Sequence, residues 1–298
     1  MKVAVVDAGS NSFILLIAQK KDDSVEYLVD LSTIVGMGNL LNGENETTFA
    51  RALEVVKRYH KISDEFAVDK RMIVGTEIFR KLPKTYFEEL SKGFDISKIL
   101  SGDEEARLSY LSVKEDEKIP ISFPLVVDVG GGSVEFSFEK EGKIFSRSLP
   151  IGAIVLTNEF VKFYPIGKQL ENARSFVSQT LDFLPHLQMV SIGGTGTTVA
   201  SILKRRNFSP DVIHGSYVQV EELEELYRKL CSMRLEDMTK LVGMEKGREK
   251  IISSGILILI ESAKATANKG MYVSVRGHRY SVAKRMLERV EDDSSLFE

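Results

Sequence analysis

The first 30 residues contain apolar runs separated by one small polar turn. Residues 2–7 are strand-like and mainly apolar, residues 8–12 read Ala-Gly-Ser-Asn-Ser, and residues 13–18 are apolar. Apolar runs of this length on both sides of a turn predict two strands joined by that turn, rather than a strand followed by a helix. Residues 25–29 alternate with a period of two, which predicts a third strand.

The same pattern returns in the middle of the chain. Residues 125–129 are apolar, the turn that follows reads Gly-Gly-Gly-Ser, and residues 134–138 alternate as an outgoing strand. Asp-x-Gly-Ser-Asn-Ser and Asp-x-Gly-Gly-Gly-Ser begin 121 positions apart, at Asp7 and Asp128. This repetition predicts a duplication at the level of the fold, with one such turn at the start of each half.

Strands and helices are predicted to alternate along the rest of the chain, which indicates an α/β protein. The charged and proline-bearing stretch 114–124 marks a domain boundary. We place one domain at 1–118 and another at 119–298, with the last helix expected to pack back on the first domain and the acidic tail expected to be loose. Predicted helices cover 47–66, 168–184, 199–204, 221–230, 248–268 and 281–290, others begin after Thr76 and after a cap at Ser101 or Asp103, and further strands cover 72–74, 190–192 and 271–275.

Composition narrows the class of protein. A length of 298 residues favours about two domains. With a net charge of −3, the chain lacks the excess of basic residues that is typical of general nucleic-acid-binding proteins. Cys231 is the only cysteine, which excludes an internal disulfide. The longest apolar run, 255–260, is far shorter than the about 20 residues of a membrane helix, and the chain starts without a secretory pattern, so we expect a cytoplasmic protein.

Several catalytic classes are excluded by missing motifs. The chain has neither the Gly-x-x-x-x-Gly-Lys-Ser/Thr of a P-loop nor the Gly-x-Ser-x-Gly of a hydrolase nucleophile elbow. Its four histidines are scattered, without His-x-x-x-His or His-Asp pairs, which removes the usual ligands of zinc hydrolases. Phosphate or metal chemistry must therefore come from carboxylates, glycines and hydroxyl groups.

Three turns rich in glycine and hydroxyl side chains, at 9–12, 130–133 and 193–198, each follow a buried strand. Successive N–H groups in such turns form anion-binding nests. Asp7 and Asp128 would repel a bound phosphate unless a cation lay between them, and Mg²⁺ suits one or two carboxylates plus phosphate oxygens. Glu135 could complete the second site. Each turn alone could be a simple hairpin with an aspartate cap, and Gly36-Met37-Gly38 could be only a loop, but the repetition favours phosphate binding.

These residues resemble the exopolyphosphatase and guanosine pentaphosphate phosphatase family, which belongs to the actin, sugar-kinase and chaperone-ATPase superfamily. The glycine turns alone would indicate only the superfamily, whereas the Ser-Gly-x-Glu-Glu-Ala motif between them is specific to the family. The segments that carry the resemblance are 7–13, Gly75-Thr76 with Arg80, Ser101-Gly102-Asp103-Glu104-Glu105-Ala106-Arg107, 128–135, 148–153, 193–197 and His214-Gly215.

The resemblance implies two actin-like (ribonuclease H-like) domains with the active site in an interdomain cleft. It implies Glu105 as catalytic base, where the residue type alone would suggest a solvated carboxylate at a helix start. It also implies a metal site of Asp7, Asp128 and Glu135 for Mg²⁺, or Mn²⁺ as an alternative. The phosphate-binding residues would be Gly9, Ser10, Asn11, Ser12, Arg80, Gly130, Gly131, Gly132, Ser133, Gly194, Thr195 and Arg279.

One segment departs from the family pattern Ser-Asp-x-Gly-Leu-Arg-x-Gly. At 274–281 the aspartate is replaced by Val275 and the final glycine by Ser281, while Gly277 and Arg279 align. The expected activity is release of terminal phosphate from polyphosphate or guanosine pentaphosphate, with these as small-molecule ligands and a homodimer compatible with the sequence. The chain resembles the short two-domain members, which leads us to expect weaker tracking along long polyphosphate. The altered segment leaves open a sensor that binds guanosine tetraphosphate without hydrolysis. A small-molecule kinase of the same superfamily, with a substrate hydroxyl in place of water, is a further alternative.

Overall fold

The computed structural model describes residues 1–22, 24–43, 46–288 and 296–297. The chain divides into two compact units. Unit 1 consists of Met1–Leu108 together with the C-terminal segment from His278, and unit 2 consists of Ser109–Gly277. The chain therefore leaves unit 1 before the expected boundary at 118, and its last helix belongs to unit 1.

The strands and helices follow the predicted alternation. The strands are β1 (Lys2–Ala8), β2 (Ser12–Lys21), β3 (Ser24–Ile34), β4 (Lys70–Gly75), β5 (Ile96–Ile99), β6 (Leu125–Val129), β7 (Val134–Lys140), β8 (Lys143–Leu149), β9 (Met189–Ile192), β10 (Ser216–Gln219) and β11 (Gly270–Val273). The helices are α1 (Glu46–Glu65), α2 (Glu77–Lys81), α3 (Lys84–Leu90), α4 (Gly102–Lys114), α5 (Ala153–Phe160), α6 (Glu171–Ser178), α7 (Gly193–Lys204), α8 (Pro210–Ile213), α9 (Val220–Ser232), α10 (Leu235–Met238), α11 (Ile252–Ala265) and α12 (His278–Glu288), with a 3-10 helix at Met37–Asn42.

Unit 1 is built on a five-stranded sheet in the order β3-β2-β1-β4-β5. The first three strands are antiparallel neighbours, whereas β4 and β5 run parallel to β1. Six of the seven residues of β1 are buried, as expected for a central strand covered on both faces. One core cluster joins this sheet to apolar side chains of α1, α2 and α3, including Tyr59, Phe79 and Leu90.

Unit 2 repeats this topology. Its sheet has the order β10-β11-β9-β6-β7-β8, in which β6, β7, β8, β9 and β11 correspond to β1 through β5. The directions also agree, because β6 pairs antiparallel with β7 and parallel with β9. β10 is an additional antiparallel edge strand. The two mixed α/β units have the expected actin-like, ribonuclease H-like fold, and the duplication is present in the topology.

Several helix limits differ from the sequence-based prediction. Helix α6 covers Glu171–Ser178 instead of 168–184, and just beyond it the Thr180 N–H donates to the carbonyl three residues back, at Val177 (3.0 Å), so the i to i−4 pattern ends there. Helix α7 begins at Gly193 instead of 199, because the positive φ of Gly193 (73°) turns the chain directly from β9 into the helix. Helix α11 is shorter than 248–268, and α12 begins three residues earlier than predicted.

The predicted C-terminal tail can be assessed only in part. Residues 289–295 and 298, including the last two positions of the predicted helix 281–290, lie outside the described residues. Leu296 and Phe297 are buried, and the Phe297 carbonyl accepts a hydrogen bond from Arg107 Nη1 at 3.0 Å, so these two residues are not loose. Within the described ranges, no helix has both the length and the apolar character needed to cross a membrane.

Candidate functional site

The first glycine turn, Gly9–Ser12, is held by the segment that follows β3. The Gly9 N–H donates to the Ser12 carbonyl at 3.1 Å, which closes the turn. The Asn11 carbonyl accepts from the amides of Val35 and Gly36, both at 2.9 Å, and the Ser10 carbonyl accepts from Gly38 at 2.8 Å. The Gly36–Gly38 segment therefore supports the turn, a role that its two glycines and the positive φ of Gly36 (80°) make sterically accessible.

Asp7 is the second-last residue of β1, two positions before Gly9, and contacts His278, the first residue of α12. The distance between Asp7 Oδ1 and His278 Nε2 is 3.2 Å, and both side chains are buried. Burial acts to raise the pKa of Asp7, but the charge and contact of His278, with the charge of Arg279, lower it below its usual value. Burial acts to lower the pKa of His278, but Asp7 and Glu105 raise it above its usual value.

The two adjacent glutamates in the first turn of α4, Glu104 and Glu105, have different partners. The Ser101 hydroxyl accepts from the Glu104 N–H at 3.2 Å, and Glu104 Oε2 accepts from the Ser101 N–H at 2.8 Å, which is a capping box. Lys98 Nζ lies 2.5 Å from Glu104 Oε1. Burial acts to raise the pKa of Glu104, but the bonds to Lys98 and Ser101 lower it. Ser101, and not Asp103, is therefore the cap, and Glu104 stabilises the helix start.

Glu105, in contrast, faces the guanidinium of Arg80. Its Oε2 lies 3.2 Å from Arg80 Nη1, and about a third of each side chain is exposed. The same Nη1 donates to the Leu100 carbonyl at 2.6 Å, which fixes the guanidinium beside the start of α4. Thr76, just before α2, donates its hydroxyl to the Ala8 carbonyl at 3.3 Å, which connects the helix of Arg80 to the first turn. Unit 1 thus contains both Asp7 beside the first turn and the Arg80–Glu105 pair.

The second turn, Gly130–Ser133, has the same construction as the first. The Gly130 N–H donates to the Ser133 carbonyl at 3.0 Å. The start of α5 binds the carbonyls of this turn, since the amides of Ala153 and Ile154 donate to Gly130 and Gly131 at 2.9 Å. A side chain at Gly152 would overlap the backbone of Gly131 and Ser133, so glycine is required at this approach.

Asp128 and Glu135 are direct cross-strand partners on β6 and β7. Directly opposed residues of antiparallel strands project from the same face of the sheet, so the two carboxylates are neighbours. Glu135 Oε1 accepts hydrogen bonds from the hydroxyls of Ser133 (2.5 Å) and Ser148 (2.8 Å). A side chain at Gly193 would overlap Asp128 Oδ1, which places this carboxylate at the start of α7.

The third glycine turn is the first turn of α7. The Thr195 hydroxyl donates to the Val129 carbonyl at 2.8 Å, which matches the contact of Thr76 with Ala8 in unit 1. A side chain at Gly194 would overlap the guanidinium of Arg248, which also forms an ion pair with Glu245. Sequence reasoning did not find Arg248, because a single arginine in a charged loop carries no motif. The start of α7 therefore combines N-terminal helix amides with a guanidinium.

The proposed metal ligands are divided between the units. Among the described residues, no group of three or more carboxylate, imidazole or thiol side chains is arranged to hold a metal ion. Asp128 and Glu135 do form a carboxylate pair beside hydroxyl groups, whereas Asp7 contacts His278. This donor set fits Mg²⁺, which uses one or two carboxylates and completes its shell with water and substrate phosphates.

Arg279 is held by a carboxylate of its own unit. It is buried, and its Nη2 lies 2.9 Å from Asp30 Oδ2 on β3. The Tyr280 hydroxyl donates to the same carboxylate oxygen at 2.6 Å. Because a buried guanidinium needs a fixed counter-charge, this pairing anchors α12 to the sheet. Binding of phosphate by Arg279 stays a prediction.

Comparison with known proteins agrees with this geometry. The model of the Ppx/GppA phosphatase family matches residues 16–290. A Fusobacterium nucleatum protein named bifunctional 3-dehydroquinate synthase/phosphatase is 29% identical over 291 residues, which cover 87% of this chain and 42% of that protein. Exopolyphosphatase 2 of Mycobacterium tuberculosis is 25% identical over 302 residues, covering 88% of this chain and 90% of the relative. The crystal structure of an Aquifex aeolicus member of the family has a TM-score of 0.86 at 28% identity, over 98% of this chain and 99% of that one.

Proposed function

This chain belongs to the Ppx/GppA phosphatase family, and on that premise we propose that it releases terminal phosphate from inorganic polyphosphate, guanosine pentaphosphate or both, in a reaction that depends on Mg²⁺. The observation that supports this best is the separation of roles in α4. Glu104 is engaged in the capping box, while Glu105 is partly exposed and faces Arg80. A carboxylate held beside a guanidinium, next to a phosphate-binding turn, is suited to activate water against a phosphate group.

The phosphate groups are bound by backbone and hydroxyl donors. The turns Gly9–Ser12 and Gly130–Ser133 present the N–H groups and hydroxyls that bind phosphate oxygens. At the start of α7, Gly194 and Thr195 add helix N-terminal amides, and Arg248 adds a guanidinium beside Gly194. These contacts bind the phosphate groups of a polyanion and do not recognise the rest of the substrate.

Hydrolysis itself is assigned to unit 1. Both known contacts of the Arg80 guanidinium use Nη1, and a guanidinium carries five N–H donors in a planar fork, so its remaining donors suit phosphate oxygens. Glu105 orients a water molecule and accepts its proton as the water attacks the terminal phosphorus. As in phosphoryl transfer generally, positioning and electrostatic stabilisation supply most of the acceleration.

In unit 2, Asp128 and Glu135 are the side chains that would hold the divalent cation, and in unit 1 the candidate cation ligand is Asp7. Bound Mg²⁺ supplies charge neutralisation and polarisation of the phosphate oxygens. The hydroxyls of Ser133 and Ser148 orient Glu135 for this role, because both donate to its Oε1. Mn²⁺ has the same preference for oxygen ligands and could replace Mg²⁺.

The proposal is tested by phosphate release with Mg²⁺ from long polyphosphate, guanosine pentaphosphate and ATP, each followed to completion. We expect release from at least one of the first two substrates, and the ratio of their kcat/KM values identifies the preferred one. Formation of ADP from ATP that requires an added acceptor, with the phosphoryl group transferred to that acceptor instead of released, would instead indicate a kinase. Failure to release phosphate from all three would overturn the hydrolase assignment.

A second candidate is a sensor that binds guanosine tetraphosphate or polyphosphate without hydrolysis. It is favoured by the altered segment, in which Val275 and Ser281 replace residues of the family pattern and Arg279 pairs with Asp30. Calorimetric binding of guanosine tetraphosphate by a protein that hydrolyses none of the three substrates would establish this role.

A further inference from the structure

The matching hairpins of the two units differ at the position opposite the aspartate. In unit 2, Asp128 stands opposite Glu135, whereas in unit 1 the corresponding register pair is Asp7 and Ile14. An isoleucine cannot hydrogen-bond a carboxylate, so this register position supplies no counterpart of Glu135 in unit 1. Asp7 is nevertheless buried, and a buried carboxylate without a polar partner is costly.

The partner of Asp7 comes from the other end of the chain. His278 Nε2 lies 3.2 Å from Asp7 Oδ1, and only about a tenth of either side chain is exposed. The imidazole is held in place because α12 is anchored just beyond it. Arg279 and Tyr280 both bind Asp30, and the Ser281 hydroxyl donates to the Leu108 carbonyl at 2.8 Å.

We propose that His278 is a positioning residue, which fixes the Asp7 carboxylate through Oδ1 and leaves Oδ2 directed to the phosphate and cation at the first turn. The inference rests on the proposed function, since it assigns a role at the same site. His278 makes no contact with substrate in this scheme and acts through Asp7. A polar donor at the position of Nε2 is what the role requires.

The kinetic test compares two substitutions of His278. Leucine has a similar volume without a donor, and glutamine can place an amide N–H near the position of Nε2. We expect His278→Leu to raise the half-saturating Mg²⁺ concentration about tenfold, because the contact that orients one cation ligand is lost, with kcat at saturating Mg²⁺ within about threefold of wild type. His278→Gln should recover most of the Mg²⁺ affinity. A loss of kcat in both variants at all Mg²⁺ concentrations would indicate a merely structural role and overturn the proposal.

A binding measurement keeps the inference separate from catalysis. We would titrate each variant with the magnesium complex of imidodiphosphate, which resists hydrolysis, by calorimetry. His278→Leu should weaken binding about tenfold in the wild-type background and less than twofold when Asp7→Asn is already present. His60→Leu, at a histidine packed on Phe94 in the same unit, is the matched control and should leave binding unchanged.

The outcomes separate the two claims. Equal losses on His278→Leu with and without Asp7→Asn, or no loss, would overturn the positioning role even if phosphate release is normal. Coupled losses in binding by a protein that releases no phosphate from any substrate would support the positioning role and overturn the hydrolase assignment.

Discussion

The two glycine turns, Gly9–Ser12 and Gly130–Ser133, are closed by the same backbone hydrogen bond and have different surroundings. Each connects antiparallel strands in the same register, and each closes with an N–H to carbonyl hydrogen bond of about the same length, from Gly9 to Ser12 (3.1 Å) and from Gly130 to Ser133 (3.0 Å). In both units a threonine hydroxyl from the next strand–helix junction donates to the backbone just before the turn. The groups that differ are the partners of the aspartate.

This difference indicates a division of labour between the units. In unit 2, Asp128 is opposite Glu135, and two serine hydroxyls bind that glutamate, an oxygen-rich arrangement suited to a cation. In unit 1, Asp7 contacts His278, and the Arg80–Glu105 pair belongs to the same unit. The hairpin of unit 2 thus carries a carboxylate pair, whereas unit 1 carries an aspartate held by a histidine together with the pair proposed to activate water.

The largest effect is expected in α4. Glu105→Gln should lower kcat about 10²–10⁴-fold with substrate binding retained, because a general base supplies that much acceleration. Glu104→Gln is the matched control in the same helical turn, since glutamine also forms the capping box, and should keep kcat within about threefold. Steady-state phosphate release measures both. Equal losses in the two variants would contradict the assignment of the base to Glu105.

Substitution of one arginine in each unit should change different kinetic parameters, kcat for unit 1 and KM for unit 2. Arg80→Lys keeps the charge but loses the planar fork, so we expect kcat to fall about 10–100-fold, the loss of one charge-assisted contact. The same change at Arg248, beside Gly194 in unit 2, should mainly raise KM. If Arg80→Lys raised KM and left kcat unchanged, the hydrolytic role of unit 1 would be wrong.

A second buried aspartate–histidine contact, between Asp116 and His214, lies outside the glycine turns. It tests whether such a pair away from these turns contributes to stability without affecting kcat. Asp116 Oδ2 lies 2.9 Å from His214 Nε2, and Arg276 Nη1 lies 3.1 Å from Asp116 Oδ1. Burial acts to raise the pKa of Asp116, but His214 and Arg276 lower it below the usual 3.8. Stability from this ion cluster is therefore present above about pH 4 and lost as the pH falls through the lowered pKa.

Asp116→Asn should accordingly reduce the free energy of unfolding at pH 7 by about 3–5 kcal/mol, because it breaks a buried charge cluster. Urea unfolding should show this gap closing as the pH is lowered below 4, while kcat at pH 7 stays near the wild-type value. A gap that does not change with pH would contradict the ionic origin of the stabilisation.

The sequence predicts the main strands and turns of the fold, because these depend on residues that are close together in the chain. Apolar runs such as 2–7 and 125–129 are buried central strands, and the glycine turns between strands depend on residues within a few positions. The predicted ends of the helices were less accurate. The start of α7 at Gly193 depends on a positive φ that the sequence pattern does not reveal, and α6 ends at Ser178 although apolar residues continue beyond it.

The candidate site was predictable where it lies in motifs and not where it depends on long-range contacts. The glycine turns, Arg80 and Glu105 lie in segments that resemble the family. The contact of His278 with Asp7 spans almost the entire chain, and the side chain of Arg248 reaches Gly194 from a loop far along the sequence. Arg279 was assigned to phosphate from its alignment alone, whereas its burial beside Asp30 is a property of the folded unit.

The division of labour is tested most directly by a Mg²⁺ titration of phosphate release for two isosteric variants, one in each unit. Glu135→Gln still accepts hydrogen bonds from Ser133 and Ser148 but loses the charge, so we predict a half-saturating Mg²⁺ concentration about tenfold above wild type, with kcat recovering to within about threefold at saturation. Glu105→Gln should stay inactive at every Mg²⁺ concentration. Recovery of Glu105→Gln at high Mg²⁺, or a Glu135→Gln deficit that Mg²⁺ cannot relieve, would contradict the account.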